Sequence, residues 1–129
     1  ERKHSVIGGL FEVYNDLGFG FLEQIYIGAL AVEQRRRGHA VDREVRSCVT
    51  YRGVEVGTQR LDMVVDGSLV IEVKSTTDLH SSSRRQLLNY LCATRLELGL
   101  LLHFGPKARF YRLISQKGYP RESASSAKL

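Results

Sequence analysis

The sequence predicts an α/β protein with a central mixed β-sheet flanked by α-helices. Two stretches of helical apolar spacing open the chain, short strand-like blocks fill its middle, and a further helical stretch separates these from two last strands. At 129 residues the chain has room for one domain with one core. Its 43% hydrophobic and 26% charged residues, with 2 prolines, exclude the disordered, collagen-like and membrane-spanning classes.

The first helix is expected from about His4 to Leu17, because Ile7, Leu10, Phe11, Tyr14 and Leu17 recur at helical spacing and Gly18 stops the run. Gly18 and Gly20 break the chain before a second helix, from Phe21 or Leu22 to Arg37. Its expected inward stripe is Leu22, Ile25, Tyr26, Ala29 and Leu30, with Gly38 just past its end. From Val41 to Tyr51 the period changes to two, with Val41, Val45, Val49 and Tyr51 on one face. Arg52-Gly53 then turns the chain into a short strand from Val54 to Gly57.

Leu61 to Val65 and Leu69 to Lys74 read as two apolar strands joined at Asp66-Gly67-Ser68, a strong hairpin signal. After a loop with Ser81, Ser82 and Ser83, a helix is expected from Arg84 to Arg95, carrying Leu87, Leu88, Leu91 and Cys92 inward. Leu98 to Phe104 and Ala108 to Ile114 complete the order as strands, the first apolar enough to be central. Residues 1–115 therefore read as the domain and residues 116–129 as a C-terminal tail.

The net charge of +5 favours polyanionic partners. Its distribution is more telling: Leu98 to Arg121 holds no acid but carries Lys107, Arg109, Arg112, Lys117 and Arg121. Clustered cations suit a phosphate backbone, since each neutralised phosphate releases counterions; a solvated surface face is the plainer reading. Arg35, Arg36 and Arg37 form a second basic knot, partly offset by Glu33 and Asp42.

Cys48 and Cys92 lack the spacing of a metal or redox pair and read as reduced core or interface residues of a cytoplasmic protein. The four histidines are scattered without zinc-ligand spacing. No apolar run reaches the ~20 residues that span a bilayer, and no signal-like segment is present, so no membrane partner is expected.

Asp62, Glu72 and Lys74 are charges set among apolar strand residues, where charge is costly to place. Glu72 and Lys74, two apart in one strand, share a face. Asp62 joins them only in one hairpin register. A three-residue loop opposes Asp62 to Glu72, whereas a two-residue loop opposes it to Ile71. Two adjacent carboxylates repel unless one is protonated or a cation lies between them. Mg²⁺, with Mn²⁺ as a substitute, suits such a pair, because it takes one or two carboxylates and keeps several waters. Lys74 would add a positive group beside a phosphate, a hydrolytic combination. The alternative is a surface Glu72–Lys74 ion pair with Asp62 incidental.

An Asp followed by Glu-x-Lys on a hairpin resembles the signature of the PD-(D/E)XK nuclease superfamily. Gly20-Phe21-Leu22-Glu23-Gln24-Ile25-Tyr26 further resembles the GxxExxY motif of a small bacterial branch of it. The likeness runs from about Val6 to Leu113 and takes in Gln86-Leu87-Leu88-Asn89-Tyr90 and Leu100 to Gly105. It implies a restriction-endonuclease-like core, with Asp62, Glu72 and the Val73 carbonyl as metal ligands, Lys74 as the catalytic lysine and Glu23 as an added acid of the metal shell. Gln86, four residues before Tyr90, would border the active site, both facing one way on a helix. From the residues alone, Glu23 is a helix-dipole partner, Tyr90 core and Gln86 solvent-exposed. Leu61 stands where the superfamily signature has Pro, and Ser83-Arg84-Arg85 replaces a less basic approach to Gln86.

The expected activity is divalent-metal-dependent hydrolysis of nucleic-acid phosphodiesters, with DNA favoured over RNA. Arg84, Arg85, Tyr90, Lys107, Arg109 and Arg112 are the candidate nucleic-acid contacts. A homodimer is compatible with cutting two strands, although no residue identifies an interface. The competing expectations are a non-catalytic nucleic-acid-binding or accessory module that keeps the fold, and a structural domain whose three charges form an ion network.

Overall fold

The computed structural model describes residues 2–116 and 119–121. Its elements are α1 (Arg2–Leu17), α2 (Glu23–Arg36), β1 (Val41–Tyr51), β2 (Val54–Val65), β3 (Leu69–Lys74), α3 (Ser82–Thr94), β4 (Leu98–Phe104), β5 (Ala108–Gln116) and β6 (Tyr119–Arg121). The six strands form one sheet in the order β1-β2-β3-β4-β5-β6. Neighbours are antiparallel except β3 and β4, which are parallel and joined through α3. The sheet is therefore mixed, and its apolar β3 and β4 lie at the centre, as two-sided burial demands.

One face of the sheet packs against α1 and α2, where Val6, Leu10, Tyr26, Leu30, Met63, Ile71 and Leu102 share a core. The other packs against α3, where Leu61, Val70, Leu87, Leu91, Leu101 and Leu113 share a second. Among the described residues no helix is long and apolar enough to cross a membrane.

Several sequence expectations need correction. Val54–Gly57 and Leu61–Val65 are one continuous strand, β2, because Gly57 and Thr58 keep pairing with Val49 and Cys48 across the ladder. The inward stripe of α2 is Tyr26, Ile27, Leu30, Ala31, Glu33 and Gln34, while Leu22 and Ile25 are exposed. Counting only apolar residues misplaced the stripe, since the buried Gln34 amide donates to the Val6 carbonyl at 3.0 Å and so ties α2 to α1. Cys48 is exposed rather than core, and Tyr51 is exposed beyond the sheet's covered area. Phe11 is partly exposed, resting edge-on against Phe110, and Val6 and Val13 take the buried positions of α1. Strand β6 falls in the stretch read as tail, and residues 122–129 lie outside the described residues.

The Arg35–Arg37 knot is occupied structurally. Arg37 Nε lies 2.7 Å and Arg36 Nε 3.3 Å from the Glu33 carboxylate, and Arg35 donates to the Val41 carbonyl at 2.9 Å. The Arg37 bond, then Arg36, holds the Glu33 carboxyl below the usual range.

Candidate active site

The β2–β3 hairpin closes with Val65 opposite Leu69, Val64 opposite Val70 and Met63 opposite Ile71, the register of the three-residue loop. Asp66 and Gly67 take the left-handed conformation, with φ of +53° and +69°, and Ser68 N–H returns to the Val65 carbonyl at 3.1 Å. Regular pairing stops one step before Asp62 and Glu72 would meet.

It stops because β2 changes phase at Asp62. Met63 faces the α1–α2 core, yet Leu61, two residues away, faces the α3 core. In an unbroken strand residues two apart share a face. The neighbouring strand β1 does the same: Val41 lies in the first core and Val45 packs against the second. Between them Glu44 adopts φ +51°, while Arg43 still pairs with Met63 and Val45 with Leu61. The two strands slip phase together at Glu44 and Asp62, which frees the Asp62 side chain to turn along the sheet toward β3.

There the Val73 N–H donates to Asp62 Oδ2 at 2.8 Å. Glu72 projects to the α3 side, 5% exposed, with Oε1 lacking any hydrogen-bond partner. Lys74 Nζ lies 3.9 Å from Glu72 Oε2 and donates to Gln86 Oε1 at 3.3 Å. Glu23, at the start of α2, accepts from the Ser75 N–H at 3.1 Å, so the GxxExxY segment is strapped to the residue after Lys74.

The electrostatics reflect this crowding. Burial and then the Asp62 charge push the Glu72 carboxyl up to about 8, with Lys74 opposing and Glu23 adding. Burial also holds the Asp62 carboxyl above the usual range, against the Val73 hydrogen bond, with the Glu23 charge contributing. Tyr90, buried on α3, is pushed up to about 12 by burial and then by Glu72 and Asp62, which places its ring in the same field. Asp62, Glu72, Lys74, Glu23, Gln86 and Tyr90 thus converge on one end of the hairpin.

The basic candidates divide. Arg84 stacks its guanidinium over Tyr111 at 4.6 Å on the α3 side, and Arg85 is exposed beside it. Lys107 and Arg109 line a hollow of about 520 Å³ with Thr77, Asp78 and His103. Arg112 is not brought in, because Phe110, two residues away, packs against the α1–α2 core on the opposite face. Two residues escaped the sequence reading. Glu44 adds its charge to the field on Asp62, and no local pattern marks its positive φ. His103, opposite Lys74 in the ladder, holds the β3–α3 loop through Nε2, 2.8 Å from the Thr76 carbonyl oxygen. Its place in an apolar strand was the available signal.

Among the described residues no three His, Cys, Asp or Glu side chains form a group that could hold a metal ion alone. Two carboxylates with a backbone carbonyl, completed by water, are nonetheless the donor set that Mg²⁺ accepts. The unpartnered Glu72 Oε1 is an acceptor that such an ion would satisfy.

A mixed sheet sandwiched by helices, with an acidic pair and a lysine on a central hairpin, defines a nuclease-type α/β fold. The model of the PD-(D/E)XK nuclease superfamily matches residues 1–113, and the chain belongs to that superfamily. No curated protein matches the sequence. Among solved structures, the crystal structure of SSO0001 is similar with a TM-score of 0.55 and 23% identity, over 69% of this chain and 47% of that one. That likeness speaks for the fold, and the match spans about half of that chain's length.

Proposed function

We propose that this chain is a divalent-metal-dependent nuclease of the GxxExxY branch, hydrolysing DNA phosphodiesters at the Asp62–Lys74 hairpin. The observation that carries this is the buried Glu72 carboxylate, with one oxygen unpartnered, next to Asp62 and within 3.9 Å of Lys74 Nζ. Asp62, Glu72 and the Val73 carbonyl would hold Mg²⁺ or Mn²⁺, which when bound supplies an acidified water and charge neutralisation at the phosphate. Val73 N–H fixes the Asp62 carboxylate. Lys74, braced by Gln86, presents its ammonium to the charge that develops on the phosphate. Glu23 adds negative charge at the rim while tying α2 to Ser75. Arg84, Arg85, Lys107 and Arg109 would steady the phosphate backbone without reading sequence.

The test is incubation of the purified protein with linear and circular DNA in Mg²⁺, Mn²⁺ or EDTA. Cleavage that both EDTA and Lys74→Ala abolish is the expected result. Metal-independent binding without cutting would replace the enzyme with an accessory module of the same fold.

A further inference from the structure

Four large apolar side chains stand in water around the start of α2, where Glu23 lies. Phe19 is 44% exposed, Phe21 42%, Leu22 75% and Ile25 45%. Phe19 and Phe21 flank Gly20, and with Glu23 and Ser75–Thr77 they wall a hollow of about 570 Å³. Hydrogen bonds tie the turn that carries Phe21 to its surroundings. Gly18 and Gly20 take φ of +75° and +114°, which a side chain would resist, and these turns aim the two rings outward. Tyr26 hydroxyl donates to the Gly18 carbonyl and accepts from Phe21 N–H at 3.3 Å. Phe21 meets Tyr26 edge to face, at 6.1 Å and 83°, and Tyr26 is itself stacked on buried Phe104 at 4.0 Å. The Ser75 hydroxyl donates to the Phe21 carbonyl, which ties the Phe21 backbone to the residue that follows Lys74.

The loop after β3 separates this apolar hollow from the basic one. Thr77 borders both, and Lys107 and Arg109 lie on the far side. A paired duplex shows proteins its phosphates and groove edges, whereas an unpaired base shows a face that an aromatic ring can stack on. We propose that Phe19 and Phe21 form a stacking platform for an unpaired base of DNA, whose backbone continues over Lys107 and Arg109. The substrate would then carry a single-stranded segment at the cut: a frayed end, a flap or a single strand. The assignment rests on the nuclease reading above and names the form of strand that its site takes.

Binding in EDTA separates the two, because nothing is cut. A single strand carrying 2-aminopurine should be quenched by the wild-type protein, and Phe19→Ala and Phe21→Ala should each weaken its binding about tenfold. Affinity for the matching blunt duplex should change less than about twofold, and the salt dependence of single-strand binding should keep its slope, since phosphate contacts remain. Phe21→Ala also removes packing on Tyr26, so Phe19→Ala and Phe19→Leu are decisive, provided both melt like wild type. Wild-type single-strand affinity in Phe19→Ala, or equal weakening for strand and duplex, overturns the platform. Tighter binding of RNA of the same sequence overturns the choice of DNA. Phe19-dependent binding without cleavage in any metal removes the nuclease reading alone; cleavage with Phe19-independent binding removes the platform alone.

Discussion

Lys74 Nζ donates to Gln86 Oε1 at 3.3 Å, a contact between the last residue of β3 and the second turn of α3. It means that the ammonium is aimed by a neutral side chain as well as by Glu72. Gln86→Leu keeps the helix and removes the acceptor. Cleavage by this variant should fall about tenfold in kcat with KM little changed, the pattern of a positioning residue for transition-state charge. Steady-state rates on a defined oligonucleotide check this, and Gln86→Glu should restore part of the loss by keeping an acceptor near Lys74. Full activity in Gln86→Leu would show that Lys74 needs no brace.

Glu72 makes the metal-free protein lose stability as pH rises through the neutral range. Its folded carboxyl, at about 8, lies above the ordinary value of 4.5, so the folded state holds the proton more tightly. The stability this group contributes is complete below about pH 4.5 and is lost progressively as pH rises to about 8, at about 1.4 kcal/mol per pH unit between them. Asp62, also raised, acts in the same direction. Urea unfolding in EDTA across pH 5–8 should show the decline, and Glu72→Gln should flatten most of it. An equally steep decline in Glu72→Gln would mean that the charge is not confined as described.

Glu44 carries the phase change of β1 at φ +51°, a conformation that L side chains tolerate poorly. Glu44→Gly should raise stability by about 0.5–1 kcal/mol, and Glu44→Val should lower it by at least about 1 kcal/mol, because a β-branched residue resists this region most. Denaturation midpoints distinguish the two. If Val is tolerated as well as Gly, strain does not hold the slip.

Gly9 lets α2 approach α1. A Cβ there would land on the Gln34 side-chain amide, which is buried and donates to Val6. Gly9→Ala should cost about 1–3 kcal/mol through displacement of that hydrogen bond. The thermal midpoint should fall accordingly, while Gly57→Ala, whose added carbon meets open space on an ordinary backbone, should leave it nearly unchanged.

Much of the architecture was legible in the letters. β4 runs over Leu98–Phe104 as its apolar run implies, and Asp66-Gly67-Ser68 closes the hairpin in the three-residue register, one of the two the letters left open. These are local matters of period and turn chemistry, carried by a few neighbouring residues. The α2 stripe was misplaced because Gln34 looks solvent-facing until α1 supplies an acceptor for its amide. The continuity of β2 through Gly57 depended on β1 as its partner.

The chain's order of charges and apolar blocks determined the class of fold and put Glu72 and Lys74 on one face. Hairpin register alone did not bring Asp62 to them. That required a coordinated slip at Glu44 and Asp62 across two strands, which no single segment encodes. The separation of Arg109 from Arg112 was likewise settled by which core each neighbour fills, and the exposure of Phe19 and Phe21 goes with the turns at Gly18 and Gly20. Periodicity is a property of one strand, whereas the side a charge turns to is decided by what both faces of the sheet must bury.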